Sequence, residues 1–480
     1  MSKIKRLAGE TAIYGLGSIL PRVINFLLIL PHTSVFHPAE YGVITDLYAW
    51  VAFLNVLYTF GMETAFFRFA TKEGADPVRV FNMAQTAVTI ITLAISTFFV
   101  AFAGPLAAQM DIPDHPDYII WLTGIVAIDA LVAIPFARLR LEKKAMRFAI
   151  FRIINVLVIV GLNFYFLKVD YDPQIGVAYV FLINLLANAL YLFFFAPVFI
   201  RWRPMLDKSL FNAMLVYAFP VMLTGLAGTT NEMFSRITLR EWLPENFYPG
   251  RSSAYALGVF GANYKFAVFM NLVIQAFRFA AEPFFFSNAR EKNSRHLFAM
   301  VNHYFVVTCC ILLLAVGVNL DVLKHLLRSE AYWEGLSVVP LLLTAYLFLG
   351  VYYNLTVWFK LTDRTYYGTI ITVGGAIVTI VANYILIPVA GYVGSSWAAL
   401  ICYFSIAAAC YLTGQRFYPI PYRVGKDLTY IVLTVLLVYG INALAFDGAA
   451  AFVVHNLIVL AAVGLVFLIE RKGLKEAVNL

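Results

Sequence analysis

YGVITDLYAWVAFLN, residues 41–55, and LGVFGANYKFAVFMN, residues 257–271, are one pattern met twice. At a constant offset Gly42 falls on Gly258, Val43 on Val259, Tyr48 on Tyr264, Phe53 on Phe269 and Asn55 on Asn271. Gly, Val and Phe are common in apolar sequence, so these identities gain weight from their setting. Each stretch is the second apolar segment of its half, and each half opens on a segment with an internal proline, Pro21 in one and Pro220 in the other. Proline in a membrane helix frees a carbonyl and permits a kink. The repeated unit is about six helices long, and duplication of this kind builds many membrane folds.

The rest of the chain fits that scale. Its 480 residues are 62% hydrophobic and 13% charged, with a mean hydropathy of +0.80, against about 45–50% and 25% in soluble domains. The sequence predicts an all-α polytopic membrane protein with fourteen spans, among them 11–33, 44–62, 213–239, 254–277, 367–388, 393–414, 428–446 and 450–469. The expected organisation is a six-helix lobe over 1–205, a second over 206–415, and two additional helices with a short tail over 416–480.

The net charge of +8 is explained by where it sits. With the N-terminus inside, alternate loops carry Arg138 to Arg147, Arg201 to Lys208, Arg290 to Arg295 and Arg416 to Lys426, while the opposite loops hold little beyond Lys168, Arg240, Arg251, Lys324 and Arg328. This is the positive-inside asymmetry, and it predicts both termini in the cytoplasm without invoking nucleic acid. No small-residue cleavage site follows the first apolar run, so a retained helix is expected rather than a signal peptide. Cys309, Cys310, Cys402 and Cys410 fall in apolar runs with no CxxC spacing, which points to neither a disulfide framework nor a zinc site. No loop is long enough for a soluble catalytic domain, and HExxH, GxSxG and P-loop patterns are lacking. A non-enzymatic protein is expected, with no cofactor.

Function must then reside in charge inside the membrane. Arg22, in GSILPRVINFLLIL over 17–30, lies roughly 16 Å into a layer about 30 Å thick, where a charge costs about 2.5–3.5 kcal/mol on insertion scales. Thr11, Gly15, Ser18, Arg22 and Asn25 recur at spacings of three and four, so Arg22 belongs to a polar stripe. Gly258, Gly261, Ala262 and Lys265 share a face in the same way. Small residues at this spacing commonly serve close helix packing, but packing does not account for a midplane lysine, which needs a partner or water. Two midplane cations without matching carboxylates suggest an anionic ligand, and a guanidinium with an ammonium suits phosphate oxygens. Arg22, Lys265 and Arg236 are therefore the expected substrate-binding cations, with Asn25 and Ser18 beside Arg22. Asp129 either pairs locally or carries a coupling proton. Glu232 and Arg236 form an i,i+4 pair, and Glu63 with Arg68 reads as an interfacial anchor. Arg152 and Arg278 read as snorkelling helix-end residues.

The chain resembles the polysaccharide transporters, Wzx-like flippases of the multidrug/oligosaccharidyl-lipid/polysaccharide (MOP) superfamily. The resemblance is carried by EYG (Glu40 to Gly42), GMETAFFRFA, VYAFPVMLTGLAG, GVFGANYKFA, AEPFFFSNAREK and NYILIPVAGYVGSSWAAL, in that order. PRVINF also resembles the arginine-bearing first helix of lipid II flippases. What the resemblance implies is two six-helix lobes in a V, with alternating access. It also implies transfer of an undecaprenyl-diphosphate-linked oligosaccharide to the outer leaflet of the cytoplasmic (inner) membrane, and cationic residues in helices one, seven and eight. The implied partners are that lipid-linked oligosaccharide, membrane lipids and other polysaccharide-assembly proteins, around a monomeric transporter. Many members have an Asp-Arg pair late in helix seven, whereas Ser235 precedes Arg236 here and Glu232 stands one turn earlier. A lipid II flippase and a multidrug/toxin cation exporter are the alternatives within the superfamily. An O-antigen ligase or polymerase would need a larger outer loop than DIPDHPD or REWLPENFYPGRSS.

Overall fold

The computed structural model describes residues 15, 17, 19–291, 293–444 and 448–478. Among them, eleven helices are long and apolar enough to cross a bilayer, and there are two shorter apolar helices, Ile19–Val35, which overlaps the expected span 11–33, and Ala178–Phe194. The protein is a multi-pass membrane protein. We label its helices α1 (Ile19–Val35), α2 (Pro38–Ala70), α3 (Pro77–Ala101), α4 (Pro116–Leu141), α5 (Ala145–Lys168), α6 (Ala178–Phe194), α7 (Lys208–Trp242), α8 (Ser253–Asn288), α9 (Ser294–Val318), α10 (Val338–Leu355), α11 (Tyr366–Phe417), α12 (Val424–Ala443) and α13 (Gly448–Val478). The expected spans 367–388 and 393–414 are the two arms of α11, which breaks at Gly391 (φ 57°, ψ −134°).

Helix starts follow local chemistry. Pro38, Pro77 and Pro116 occupy first turns, where the missing N–H costs nothing. Asp76 accepts from the Val78 N–H at 2.9 Å and Ser252 from the Tyr255 N–H at 3.1 Å, each satisfying an orphan donor. Asp207 does the same for α7, accepting from Ser209 and Leu210; together with the Arg79 guanidinium these bonds hold its carboxyl below the usual carboxylate range. At the end of α4, partial burial works against ionisation of Glu142, yet bonds from Lys144 and Arg138 keep its carboxyl low as well.

The chain divides into two compact units. The first runs through Phe36 and over Val43–Met233, the second over His37–Gly42 and Phe234–Leu480.

In the first unit, the core joins α2, α3, α4 and the first half of α7 through Tyr58, Met62, Phe66, Phe81, Val126 and Met214. A break in α2 makes this possible. Phe60 and Gly61 both have positive φ, 48° and 69°, and a β-carbon on Gly61 would come within 2.6 Å of the Ala218 carbonyl oxygen. That explains the glycine of GMETAFFRFA, pressed against the proline-bearing turn VYAFPVM. A second cluster, Val132, Phe136, Phe148, Tyr191 and Phe195, joins α4, α5 and α6.

In the second unit, the first turns of α2 and α8 cross backbone to backbone. A β-carbon on Gly42 would overlap the Ala254 carbonyl oxygen, and one on Gly258 would overlap that of Pro38. Tyr41 meets the Tyr332 ring edge-on at 5.9 Å, and Asn263 donates to the Tyr332 carbonyl at 2.7 Å. Where α11 breaks, the Tyr248 hydroxyl accepts from the Tyr392 N–H at 3.2 Å and the two rings stack at 4.8 Å, so the loop REWLPENFYPGRSS satisfies the freed backbone. The last two helices lie on α9 through Leu314, Val318, Val438 and Ile441, with Ile458 and Val459 of α13 behind them.

Candidate functional site

Lys265 sits in the first half of α8 in a run of buried residues, Gly258 to Tyr264 before it and Phe266 and Ala267 after it. It is itself half-buried, and among the described residues it makes no ion pair or side-chain hydrogen bond. The next cation is close enough for its charge to act on Lys265: Arg236, near the end of α7, lays its guanidinium over the Tyr264 ring at 4.3 Å from the centroid. Tyr264 is fixed in turn by its hydroxyl, 2.5 Å from that of Tyr346, and Tyr346 packs against Tyr403 at 5.8 Å. The charge of Arg236 also reaches the buried Tyr41.

A guanidinium whose charge reaches an ammonium raises the cost of keeping that ammonium charged, a cost that a bound anion would lower. The aromatic face offsets part of that cost, since a cation over a ring gains about 0.5–2 kcal/mol. This arrangement is chemically suited to binding anionic oxygens.

The structure thus brings Arg236 and Lys265 together. Glu232, half-buried, stands one turn before Arg236 on α7. Arg22 and Asn25 are exposed on α1, whose other side packs along α5: Gly17 lies against Ala149, Leu28 against Ile159, and His32 meets Asn163 at 2.9 Å. Gly15, expected on the stripe of Arg22, is buried, and Ser18 lies outside the described residues. Glu63 forms an ion pair with Arg140 at 2.5 Å, both ends about a third exposed or more (40% and 34%). Arg68, expected beside Glu63, instead covers the Tyr217 ring at 4.4 Å.

Asp129 anchors a polar network inside the first unit. It accepts from Asn188 at 3.1 Å, and Asn188 accepts from Asn155 at 3.2 Å. Arg152 lies within electrostatic reach of Asp129, with its guanidinium over Phe136 at 4.5 Å. Arg152 is itself exposed, as expected of a snorkelling side chain, while its charge reaches the edge of this network. The signal was present in the sequence: Arg152 and Asn155 are three apart, and Asn184 and Asn188 four apart, each pair on one helical face inside apolar runs.

Sequence reasoning missed a second cluster. His303 of α9, fully buried, contacts Asp427 through Nδ1 and Glu470 through Nε2 at 3.2 Å. Lys426 reaches Glu470 at 2.6 Å, and the Tyr430 hydroxyl donates to Glu470 at 2.7 Å. Asp427 and Glu470 stand at the ends of apolar helices, where a carboxylate reads as a headgroup anchor, and only the packing of three helices buries them.

Residues 35–239 match the model of a family described as "Polysaccharide biosynthesis protein". No curated protein matches the sequence. Among solved structures, the chain is similar to "Lipid II flippase MurJ, inward closed conformation", with a TM-score of 0.74 and 13% identity over 96% of this chain and 100% of that one. It is also similar to an inward-facing "multidrug resistance MATE family transporter of the MOP superfamily", with a TM-score of 0.63 and 12% identity over 85% and 97%. A third, a MOP superfamily transporter from Pyrococcus furiosus, has a TM-score of 0.52 and 13% identity over 85% and 94%.

Proposed function

We propose that this chain, which has the MOP-type fold and the polysaccharide-biosynthesis pattern over residues 35–239, is an alternating-access flippase for a prenyl-diphosphate-linked oligosaccharide. The observation that carries the reading is Lys265, a half-buried ammonium without an ion pair among the described residues, within electrostatic reach of Arg236, which covers the Tyr264 ring. A diphosphate crossing a low-dielectric layer must have its charge offset, and Lys265 with Arg236 nearby supplies that within the membrane. Arg22, Asn25 and Ser18 are further candidates for contact with the substrate. The sugar travels in water while the prenyl tail stays in lipid. Transfer runs from the inner to the outer leaflet of the cytoplasmic membrane, with both termini inside, fourteen spans, and two six-helix lobes followed by two further helices. Asp129, Glu232 and Glu63 serve charge pairing or ion coupling, and other polysaccharide-assembly proteins act as partners of a monomer.

For the Pyrococcus furiosus transporter, "reverse polarity of binding pocket suggests different function". A cationic site in the present chain fits a similar departure from cation export. A lipid II substrate is the second reading, favoured by the extent of the likeness to the lipid II flippase structure. Both substrates present the same diphosphate and differ in the sugar.

Binding of a prenyl-diphosphate sugar to purified protein in nanodiscs tests this. Affinity should fall with added salt and drop about tenfold or more in Lys265→Ala. Equal affinity for an uncharged prenyl glycoside would defeat the mechanism, and preference for a cationic drug would favour an exporter. Complementation of strains lacking either flippase separates the two sugar classes.

A further inference from the structure

The cluster around His303 does not touch the cation pair, and it has a physical logic of its own. The ring lies between two carboxylates from two other helices: Asp427, whose side chain is 9% exposed, at the start of α12, and Glu470, 3% exposed, near the end of α13. Asn302 donates to the second oxygen of Asp427 at 3.3 Å. A neutral imidazole has one N–H and leaves a lone pair facing the other carboxylate, whereas an imidazolium presents an N–H to each. With Lys426 counted, two anions and two cations balance, and loss of one proton leaves an uncompensated buried negative charge.

We propose that His303 is a proton-operated latch: the imidazolium between Asp427 and Glu470 clamps the last two helices to α9, and deprotonation loosens that seam. The contact at Nδ1 is a hydrogen bond to Asp427, while the one at Nε2 is an ion contact off the hydrogen-bonding direction. The proton lost on neutralisation is therefore the one on Nε2. Glu470 then faces a lone pair but stays tied to α12 through Lys426 and Tyr430. What loosens is the joint between α9 and the pair α12–α13.

The groups facing His303 are few. Asp427, Lys426 and Tyr430 come from α12, Glu470 from α13, and Tyr304 from its own helix. Helix α10, packed on α9, contains no Asp, Glu, Lys, Arg or His. On α8, Arg278 is engaged with Tyr353 and Glu282 with Lys360. At the far end of the seam His455 lies 3.7 Å from Asp321, so it needs its own control.

Cys310 provides a reporter, because it is buried in the seam against Thr434 of α12. In a variant with Cys309, Cys402 and Cys410 replaced by Ala, maleimide labelling of Cys310 is measured from about pH 6 to about pH 9, across and above the histidine range. Each rate is divided by that of the denatured protein at the same pH, which removes the intrinsic thiol titration. The expected result is a rise of about tenfold toward alkaline pH. His303→Gln should label fast at both ends, and a variant with Leu at 303, 427 and 470 should label slowly at both, because an apolar triad needs no proton. A pH-independent parent, a rise that persists in His303→Gln, or one that disappears in His455→Gln alone would each overturn the latch.

Discussion

Single residues here differ in how much their charge matters, and burial decides it. Lys265 is half-buried beside a like charge, so Lys265→Ala should remove substrate binding while leaving expression and insertion intact. Lys265→Arg should keep part of it, because charge is retained and only the hydrogen-bond geometry changes. Transport of a fluorescent lipid-linked sugar in proteoliposomes distinguishes the two. Glu63→Gln is the contrast: its pair with Arg140 is open to solvent at both ends, so thermal unfolding should show a loss below about 1 kcal/mol. Asp129→Asn strips the countercharge near Arg152 and should cost more than Glu63→Gln, with Arg152→Met in the same chain restoring part of the loss. Equal unfolding temperatures for Asp129→Asn and the parent, with transport abolished, would move Asp129 from structure to coupling. Lys265 was legible in the sequence because a lysine in mid-span has few explanations. The reach of Arg152 toward Asp129 was not, since the two lie on different helices and only packing brings them within range.

Elements show why certain glycines are where they are. Gly42 and Gly258 each face a carbonyl oxygen that a β-carbon would strike, and backbone cannot swing aside as a side chain can. Gly258→Ala should therefore destabilise by about 2 kcal/mol or more, whereas Gly228→Ala on α7, with open space around it, should be neutral or slightly stabilising. Detergent thermal-stability assays on the two variants check the contrast. The repeat, the prolines and the break near Gly391 could all be read from sequence, because each is a local rule with a local cause. The His303 cluster could not. Its members come from one helix well inside the chain and two that follow much later, both carboxylates sit toward helix ends, and nothing in one segment signals the other two.

At the scale of the molecule, the distribution of Lys and Arg predicts which loops face the cytoplasm. All four native cysteines are buried and unpaired, so introduced thiols report against a quiet background. A cysteine at Asp114, between α3 and α4, should react with an impermeant maleimide from outside intact cells. One at Lys143, between α4 and α5, should react only after the membrane is opened. Reaction of both from outside would overturn the orientation. Composition made the membrane assignment immediate, since an apolar content this high leaves no soluble alternative. The substrate's sugar was never legible, because the side chains singled out by their charge address a phosphate and not a glycan.

The crossing of α2 and α8 also bears on ancestry. Gly42 meets the backbone of Ala254 while Gly258 meets that of Pro38, so the contact repeats itself with the partners exchanged. This is the isologous pattern of a two-fold dimer, in which one patch binds its own copy. A half-length ancestor carrying this glycine would have had a self-complementary surface before fusion joined its two copies, and any bulky substitution there would have been felt at both places at once. The two halves, separated at the exposed loop before α7 and expressed as independent chains, inherit that surface as a means of finding each other. They should co-purify, and Gly42→Leu should abolish the association.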